Sequence, residues 1–364
     1  MTQSTNLQTD FQAILHNLEA ARGQSIFLTT TQLLVWASKI FERAGLSSQD
    51  AMIMARTCVY PERDGALSHG LFRLPNYLQT LVAGNVNINA QPTVVQETPS
   101  LLVVDAQNGL AQPALQTVYE QLVQKTRETG LCVVLLRRAF HIAALWMDVE
   151  PLARQGFVAL TCVNASSCVA PAPGTSAVYG TNPMAFACPR EGHEPLVFDQ
   201  ASSLRARGDV MLSARAGEEV PLGTGMNSEG ELTQNPKEIL KGGALLPFGG
   251  YKGASIAMMV EILAAALTGG QFSWEIDRWS QPTPDTASAG QFLLCIDPTV
   301  AGQTMFAQRI QDLAQKLLDS GQSRLPGDLR YTTRAKTESE GIKVDADLLL
   351  GWYEQTNTGV NTSG

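Results

Sequence analysis

Leu101-Leu102-Val103-Val104, which follows Ser100, is a short apolar run, and Leu131-Cys132-Val133-Val134-Leu135-Leu136 is a second one. Between them, residues 116–129 carry apolar side chains at helical spacing, and Gly130 follows where a glycine commonly ends a helix. Strand, helix and strand within about 40 residues are typical of a βαβ unit. The stretch from 100 to 136 therefore predicts an α/β protein.

The flanking segments extend this alternation. Further strands are predicted at 158–164, 185–187, 197–198 and 291–296, and helices at 31–44, 49–60, 75–83, 254–268, 305–320 and 344–354. The helices before residue 98 predict a small helical lobe. The helix at 254–268 is apolar on nearly all sides, so we expect it to be buried.

Both ends of the chain are more polar than its middle. Residues 1–25 are polar apart from Phe11, Ile14, Leu15 and Leu18, which predict either one short amphipathic helix or a loose extension. The tail at 355–364 is rich in Thr, Asn and Gly, and we expect it to be mobile.

The composition excludes several classes of protein. The 364 residues are 44% hydrophobic and 16% charged, which suits a globular protein with a sizeable core. The net charge of −8 argues against nucleic-acid binding, and the longest apolar stretch, 254–267, contains Glu261 and is too short to span a bilayer. No signal peptide is visible, and the six cysteines lack zinc-ligand spacing. We expect a soluble cytoplasmic protein with free thiols, no bound metal and no membrane partner.

The common cofactor and hydrolase fingerprints are missing from this sequence. No Gly-x-Gly-x-x-Gly follows a predicted strand, no P-loop motif is present, and neither His-Glu-x-x-His nor Gly-x-Ser-x-Gly occurs. A Rossmann dinucleotide fold is therefore not supported.

The strongest local candidate for chemistry is Ser68-His69-Gly70, with Arg73 four residues after the histidine. The imidazole can move a proton, and the Arg73 guanidinium suits a carboxylate. A capped helix start explains the same residues almost as well.

Two further clusters lie at predicted strand ends. The first joins Gly180-Thr181-Asn182-Pro183 with Phe198-Asp199-Gln200-Ala201-Ser202-Ser203 and Arg207-Gly208-Asp209-Val210, and the second is Leu246-Pro247-Phe248-Gly249-Gly250-Tyr251-Lys252-Gly253. Backbone N–H groups and Lys252 there could meet a phosphate or a ribose. Ordinary tight turns are the structural alternative.

Taken together, these clusters resemble the malate/L-lactate dehydrogenase family, which lacks a Rossmann fold. The matching segments are Ser68-His69-Gly70-x-x-Arg73-Leu74-Pro75-x-Tyr77, Gly180-Thr181-Asn182-Pro183, Phe198-Asp199-x-Ala201-x-Ser203, Leu246-Pro247-Phe248-Gly249-Gly250-x-Lys252-Gly253 and Arg324-Leu325-Pro326-Gly327. Within the family, Glu62-Arg63-Asp64-Gly65-Ala66, Ala143-Ala144-Leu145-Trp146 and Gly208-Asp209-Val210 resemble the Δ1-piperideine-2-carboxylate/Δ1-pyrroline-2-carboxylate reductases.

The resemblance implies a fold and a domain arrangement. It implies a helical lobe at 26–98, completed by 275–354, and an inserted NAD(P)H-binding lobe at 99–274 with a mixed, mostly antiparallel sheet. Residues 1–25 are then an N-terminal extension. It also implies a homodimer that uses NADPH, with NADH as the other possibility.

The resemblance also implies roles for individual residues. His69 and Asp209 form the proton-handling pair, Ser68 supports the histidine, and Arg73 and Thr181 hold the substrate carboxylate. The implied cofactor-binding residues are His141, Ile142, Ala143, Ala144, Leu145, Asp199, Gln200, Ala201, Lys252, Gly327 and Asp328.

Asp209 separates two kinds of enzyme within the family. The hydroxy-acid enzymes usually carry a lysine there, which suits an oxyanion, whereas a carboxyl group suits a substrate with a basic nitrogen. The resemblance therefore implies reduction of a cyclic ketimine carboxylate to L-pipecolate or L-proline.

Two alternatives stay open. The first is a malate/lactate-type dehydrogenase of 2-oxo and 2-hydroxy acids. The second is a catalytically impaired paralogue that binds a dinucleotide or an imino acid. The chain departs from the usual residues of the reductases at Leu67, Phe140, Ala172 and Gln200, which indicates altered substrate scope or weakened activity.

Overall fold

The computed structural model of the chain describes residues 2–140, 143–276, 289–300, 302 and 304–358. Its helices are α1 (Thr2–Ala20), α2 (Thr30–Arg43), α3 (Ser48–Arg63), α4 (Leu74–Val82), α5 (Ala111–Thr129), α6 (Trp146–Arg154), α7 (Arg207–Ala216), α8 (Pro236–Leu240), α9 (Tyr251–Val260), α10 (Phe306–Asp319), α11 (Asp328–Glu340) and α12 (Ala346–Thr358). Its strands are β1 (Ser25–Leu28), β2 (Thr93–Thr98), β3 (Leu101–Leu110), β4 (Leu131–Phe140), β5 (Val158–Val163), β6 (Met184–Cys188), β7 (Leu196–Gln200), β8 (Gly225–Met226), β9 (Leu232–Thr233), β10 (Ala244–Leu245), β11 (Ala289–Ile296) and β12 (Ile342–Asp345).

The chain divides into two units, Met1–Asn89 with Asp328–Gly364, and Ala90–Gly327. The first unit is helical, and among its described residues β1 and β12 form an antiparallel pair. The start of α2 shows why the sequence folds this way locally, because Thr29 and Gln32 form a reciprocal capping box at its N-terminus.

The first 20 residues belong to this unit. Phe11, Ile14, Leu15 and Leu18 are each less than 10% exposed, and α1 packs against α2 and α12. The helical alternative for this segment is therefore correct, and the loose extension is wrong.

The second unit is built on a seven-stranded sheet in the order β2-β3-β4-β11-β5-β6-β7. β3 and β4 are parallel and joined through α5, which confirms the βαβ prediction. The other neighbouring pairs of the described strands are antiparallel, so the sheet is mixed and mostly antiparallel, as expected. A small three-stranded sheet, β10-β8-β9, lies in the same unit.

Three details differ from the sequence expectations. β11 lies between β4 and β5, so residues 289–327 belong to the second unit and not to the helical lobe. The helix at 254–268 continues from α9 as a π-helix at Glu261–Ala266, and its outer face is exposed, so the prediction of burial on nearly all sides is wrong. The tail begins later than expected, because α12 runs to Thr358; residues 359–364 lie outside the described residues.

The six cysteines are all free, and five of them are buried, as their apolar surroundings predicted. No described helix has both the length and the apolar content that crossing a membrane requires.

Candidate active site

Ser68, His69 and Arg73 lie in two successive 3₁₀ turns, Leu67–His69 and Leu71–Arg73. Ser68 Oγ is 3.1 Å from His69 Nδ1, and Arg73 Nε donates to the Ser68 carbonyl oxygen at 2.7 Å. When the Ser68 hydroxyl donates to Nδ1, the ring proton of His69 is on Nε2. The structure therefore brings these three predicted residues together in one compact segment.

The turns rest on the end of α3. The Leu71 amide donates to Glu62 Oε2 at 2.9 Å, and a Cβ atom on Gly70 would lie 2.2 Å from that oxygen. A side chain at position 70 would therefore have to displace the Glu62 carboxyl group from its hydrogen bond with Leu71.

The end of α3 is itself anchored by a buried carboxylate. Asp64, which is 4% exposed, accepts hydrogen bonds from Arg63 at 2.6 Å and from Arg334 of α11 at 2.6 Å. Thr337 Oγ1 donates to the Arg63 carbonyl at 2.7 Å. α11 thus fixes the point from which the histidine-bearing turns begin.

In the second unit, Ser202 joins the two clusters seen in the sequence. Its amide and its hydroxyl both donate to the Thr181 carbonyl oxygen at 2.8 Å. Its own carbonyl accepts from the Phe248 amide at 3.0 Å. Residues 180–183, 199–203 and 246–253 therefore converge.

Asn182 fixes the loop that carries Thr181. It is fully buried with a φ of 39°, a left-handed conformation that asparagine tolerates better than most residues. Its Nδ2 donates to the Ala257 carbonyl at 3.0 Å and to Glu261 Oε1 at 2.8 Å. The loop is thereby attached to α9 and the π-helix.

Lys252 lies exposed in the first turn of α9, directly after a glycine turn. Gly249 and Gly250 have φ values of 57° and 62°, and the space beside Gly250 is open. A helix N-terminus with a lysine and open space beside it suits a phosphate group.

Asp199 and Asp148 form an acidic pair at the N-terminus of α6. Asp199 Oδ2 accepts from the Trp146 amide at 3.0 Å, and Asp148 Oδ2 accepts from Gln291 Nε2 at 2.7 Å. Burial raises the pKa of Asp148 to about 7; the Asp199 carboxylate adds to the rise, and the Gln291 hydrogen bond opposes it. Sequence reasoning gave Asp148 no role, because its partners lie on distant strands.

Asp209 is half-buried in the first turn of α7. It borders a shallow cavity of about 660 Å³. The residues lining this cavity are Arg205, Asp209, Leu212, Ser213, Arg215, Ala216 and Glu218.

The remaining predicted cofactor residues are dispersed. Ala143, Ala144 and Leu145 are buried just before α6, whereas Gln200 is exposed at the end of β7 and is followed by Ala201. Gly327 ends the second unit with a φ of 96°, and Asp328 begins α11 in the first. His141 and Ile142 lie outside the described residues.

Comparisons with known proteins show the family to which the chain belongs. The model of the malate/L-lactate dehydrogenase family matches residues 28–350. The chain is 46% identical over 324 residues to a Δ1-pyrroline-2-carboxylate/Δ1-piperideine-2-carboxylate reductase of Pseudomonas putida, covering 89% of this chain and 95% of that protein. It is 40% identical over 293 residues to a (2R)-3-sulfolactate dehydrogenase (NADP(+)) of Chromohalobacter salexigens, covering 80% and 87%. The crystal structure of Δ1-piperideine-2-carboxylate reductase from Pseudomonas syringae matches with a TM-score of 0.86 and 45% identity, covering 90% of this chain and 99% of that one.

Proposed function

The chain belongs to the malate/L-lactate dehydrogenase family, and on that premise we propose that it is an NADPH-dependent reductase of cyclic ketimine carboxylates. Its substrates are Δ1-piperideine-2-carboxylate and Δ1-pyrroline-2-carboxylate, and its products L-pipecolate and L-proline. The observation that carries the proposal is the Ser68–His69–Arg73 arrangement in a chain that aligns with 95% of a reductase of these two imines.

The first unit supplies groups that suit such a substrate. The Arg73 guanidinium can bind the carboxylate, and the Ser68 carbonyl holds its Nε atom in place. His69 donates a proton from Nε2 to the imine nitrogen, and the Ser68 hydroxyl at Nδ1 fixes the orientation of the ring. Thr181 of the second unit is the other proposed carboxylate ligand.

The second unit supplies groups that suit a dinucleotide. Lys252, which is exposed at the start of α9, can bind a phosphate group. Asp199 and Ala201 belong to the same proposed set, and the neighbouring Ser202 holds their segment at Thr181 through its two hydrogen bonds to the Thr181 carbonyl oxygen. Bound NADPH supplies the hydride for the imine carbon. His141 to Leu145, Gln200, Gly327 and Asp328 complete the proposed cofactor set by resemblance.

The exposed side of α9 and the π-helix suits a second copy of the chain. Tyr251, Met258, Ile262 and Leu267 are between 49% and 68% exposed and follow one another at helical spacing. A monomer rarely leaves such an apolar stripe in water. We infer that the chain is a homodimer with this face at its interface.

The proposal is tested by following NADPH oxidation with each cyclic imine, and in parallel with pyruvate and oxaloacetate. We expect turnover of the imines, and a higher kcat/KM with NADPH than with NADH. Turnover of the 2-oxo acids alone would establish the malate/lactate-type alternative. Binding of NADPH without turnover of either class would indicate the impaired paralogue.

Asp209→Asn distinguishes the two enzyme classes more directly. If Asp209 handles a proton at the imine nitrogen, the amide should lower imine turnover roughly 10²-fold, the usual scale for general acid–base catalysis. Affinity for NADPH should persist, because the amide keeps the shape of the carboxyl group. Glu218→Gln, an acidic residue of the same cavity, is the matched control.

A purely structural Asp209 gives a different result. A carboxylate in the first turn of a helix stabilises it by about 0.3–1 kcal/mol, so the variant would melt slightly earlier with unchanged turnover per folded molecule. Unchanged imine turnover would remove Asp209 from the proposed chemistry.

A further inference from the structure

We propose that Glu62 is the positioning residue of the two 3₁₀ turns that carry His69 and Arg73; the inference rests on the roles proposed above for those two side chains. Glu62 is not among the residues that the sequence marked as functional. It lies in the last turn of α3 and reaches the turns through a single carboxyl group.

The carboxyl group contacts the turns at their midpoint. Glu62 Oε2 accepts the Leu71 amide at 2.9 Å, and Leu71 begins the second turn, between His69 and Arg73. The same oxygen occupies the space where a side chain on Gly70 would start, 2.2 Å from the position of its Cβ. One oxygen therefore sets both the hydrogen bonding and the packing of the junction between the turns.

Movement at that junction reaches both side chains of the site. Arg73 Nε is bonded to the Ser68 carbonyl, and Ser68 Oγ is bonded to the His69 ring. Without its acceptor, the Leu71 amide is a partly buried donor, and an unsatisfied donor is costly enough to make the backbone rearrange. His69 and Arg73 should then move together.

The end of α3, which carries Glu62, is held in place by ion pairs. Asp64, two residues later, is held by Arg63 and by Arg334 of α11.

The Glu62 carboxyl group lies in a buried environment near an opposite charge. Burial raises the pKa of Glu62, and the Leu71 hydrogen bond opposes the rise. The Cys58 thiol lies within electrostatic reach of both Glu62 and Arg73, so the two opposite charges are close to one buried group.

Two variants separate positioning from general stability. Glu62→Gln keeps an acceptor oxygen of the same reach, and its kcat and KM should stay within about threefold of the wild type. Glu62→Ala removes the acceptor and should lower kcat and raise KM for the imine, with a combined loss of about ten- to a hundredfold, the scale for misplaced catalytic groups. The Kd for NADPH should be unchanged. Glu42→Ala is the control, because Glu42 is a partly buried glutamate that pairs with Lys39 in α2.

A readout without turnover keeps this test separate from the proposed function. The chain has four histidines, so the His69 ring signal can be assigned and titrated by NMR. Its chemical shift and titration midpoint should change in Glu62→Ala and stay as in the wild type in Glu62→Gln. This holds even if neither cyclic imine is a substrate.

Gly70→Ala is the second route, should Glu62→Ala not fold. The new methyl group displaces the Glu62 carboxyl from Leu71, so the same loss in kcat and KM and the same change in the His69 signal are expected. The proposal is overturned if folded Glu62→Ala or Gly70→Ala keeps wild-type kinetics and the wild-type His69 signal. It is also overturned if Glu62→Gln is as impaired as Glu62→Ala.

Discussion

Single residues show most clearly how the charge of a group depends on its contacts. Asp148 is close to a second carboxylate, Asp199 of β7, and accepts a hydrogen bond from the neutral Gln291 of β11. With a pKa of about 7, it holds a proton in the folded protein at a pH where an exposed aspartate is ionised.

This makes the stability of the protein depend on pH in a stated direction. The pKa of Asp148 is about 7 when folded and about 3.9 when unfolded, so the folded chain binds the proton more tightly. The free energy of unfolding should therefore rise as the pH falls from 8 to 5. Asp148→Asn should flatten this dependence and exceed the wild type in stability at pH 8. Urea unfolding at several pH values measures both effects.

The exposed Asp312 of α10 provides the control for this prediction. Asp312→Asn should keep the pH dependence of the wild type. Equal slopes for the wild type and Asp148→Asn would show that Asp148 is ionised in the folded protein at neutral pH.

The separation in sequence between interacting residues explains which site residues the sequence could reveal. Ser68, His69 and Arg73 are near one another because a 3₁₀ segment keeps neighbours in sequence close in space, so their spacing was informative. Asp148 and Gln291 are 143 positions apart, and no local pattern connects them. Glu62 is near these three residues in sequence, but its proposed role depends on the direction of the Leu71 N–H group, which no sequence pattern shows.

At the scale of elements, prediction succeeded where a helix has a buried stripe. α2, α3 and α4 each bury one apolar face, and their bounds lie within a few residues of those expected. α11 has no buried residue and was not predicted, because its attachment to α3 is through ion pairs and hydrogen bonds. Polar contacts of this kind leave no hydrophobic period in a sequence.

α1 also has buried apolar residues, although its sequence predicted a loose extension equally well. Its contribution to the free energy of unfolding can be measured. Leu18 is fully buried, so Leu18→Ala should lower the free energy of unfolding by about 2–5 kcal/mol, the usual range for a buried leucine. Asn17→Ala, at an exposed position of the same helix, should change it little. Urea unfolding of the two variants makes the comparison. Equal stability of Leu18→Ala and the wild type would mean that α1 is not packed in solution.

At the scale of the whole molecule, the sequence pattern predicted the βαβ unit and the family resemblance implied the type of sheet, but neither predicted the strand order. The βαβ unit was readable because its parts are consecutive. The position of β11 was not readable, because a strand in the middle of a sheet can come from any part of the chain.

The proposed homodimer also belongs to this scale. Ile262→Glu places a charge within the exposed apolar stripe and should convert the dimer into monomers at micromolar concentration, because a buried unpaired charge is strongly unfavourable. Light scattering coupled to size exclusion measures the mass. Lys241→Glu is the control. It changes an exposed residue that follows α8, and this variant should remain a dimer. A monomeric wild type, or a dimeric Ile262→Glu, would contradict the proposed interface.

The central position of β11 also has a consequence for protein synthesis. A ribosome makes β4 and β5 well before residues 289–296, and these two strands pair with β11 and not with each other. β1 likewise has to wait for β12, which is translated long after it. Domains that fold as they emerge do so from the N-terminus. Here β4 and β5 instead each keep one apolar edge unpaired until β11 has been made, so we expect chaperones that bind exposed strands to act on the nascent chain.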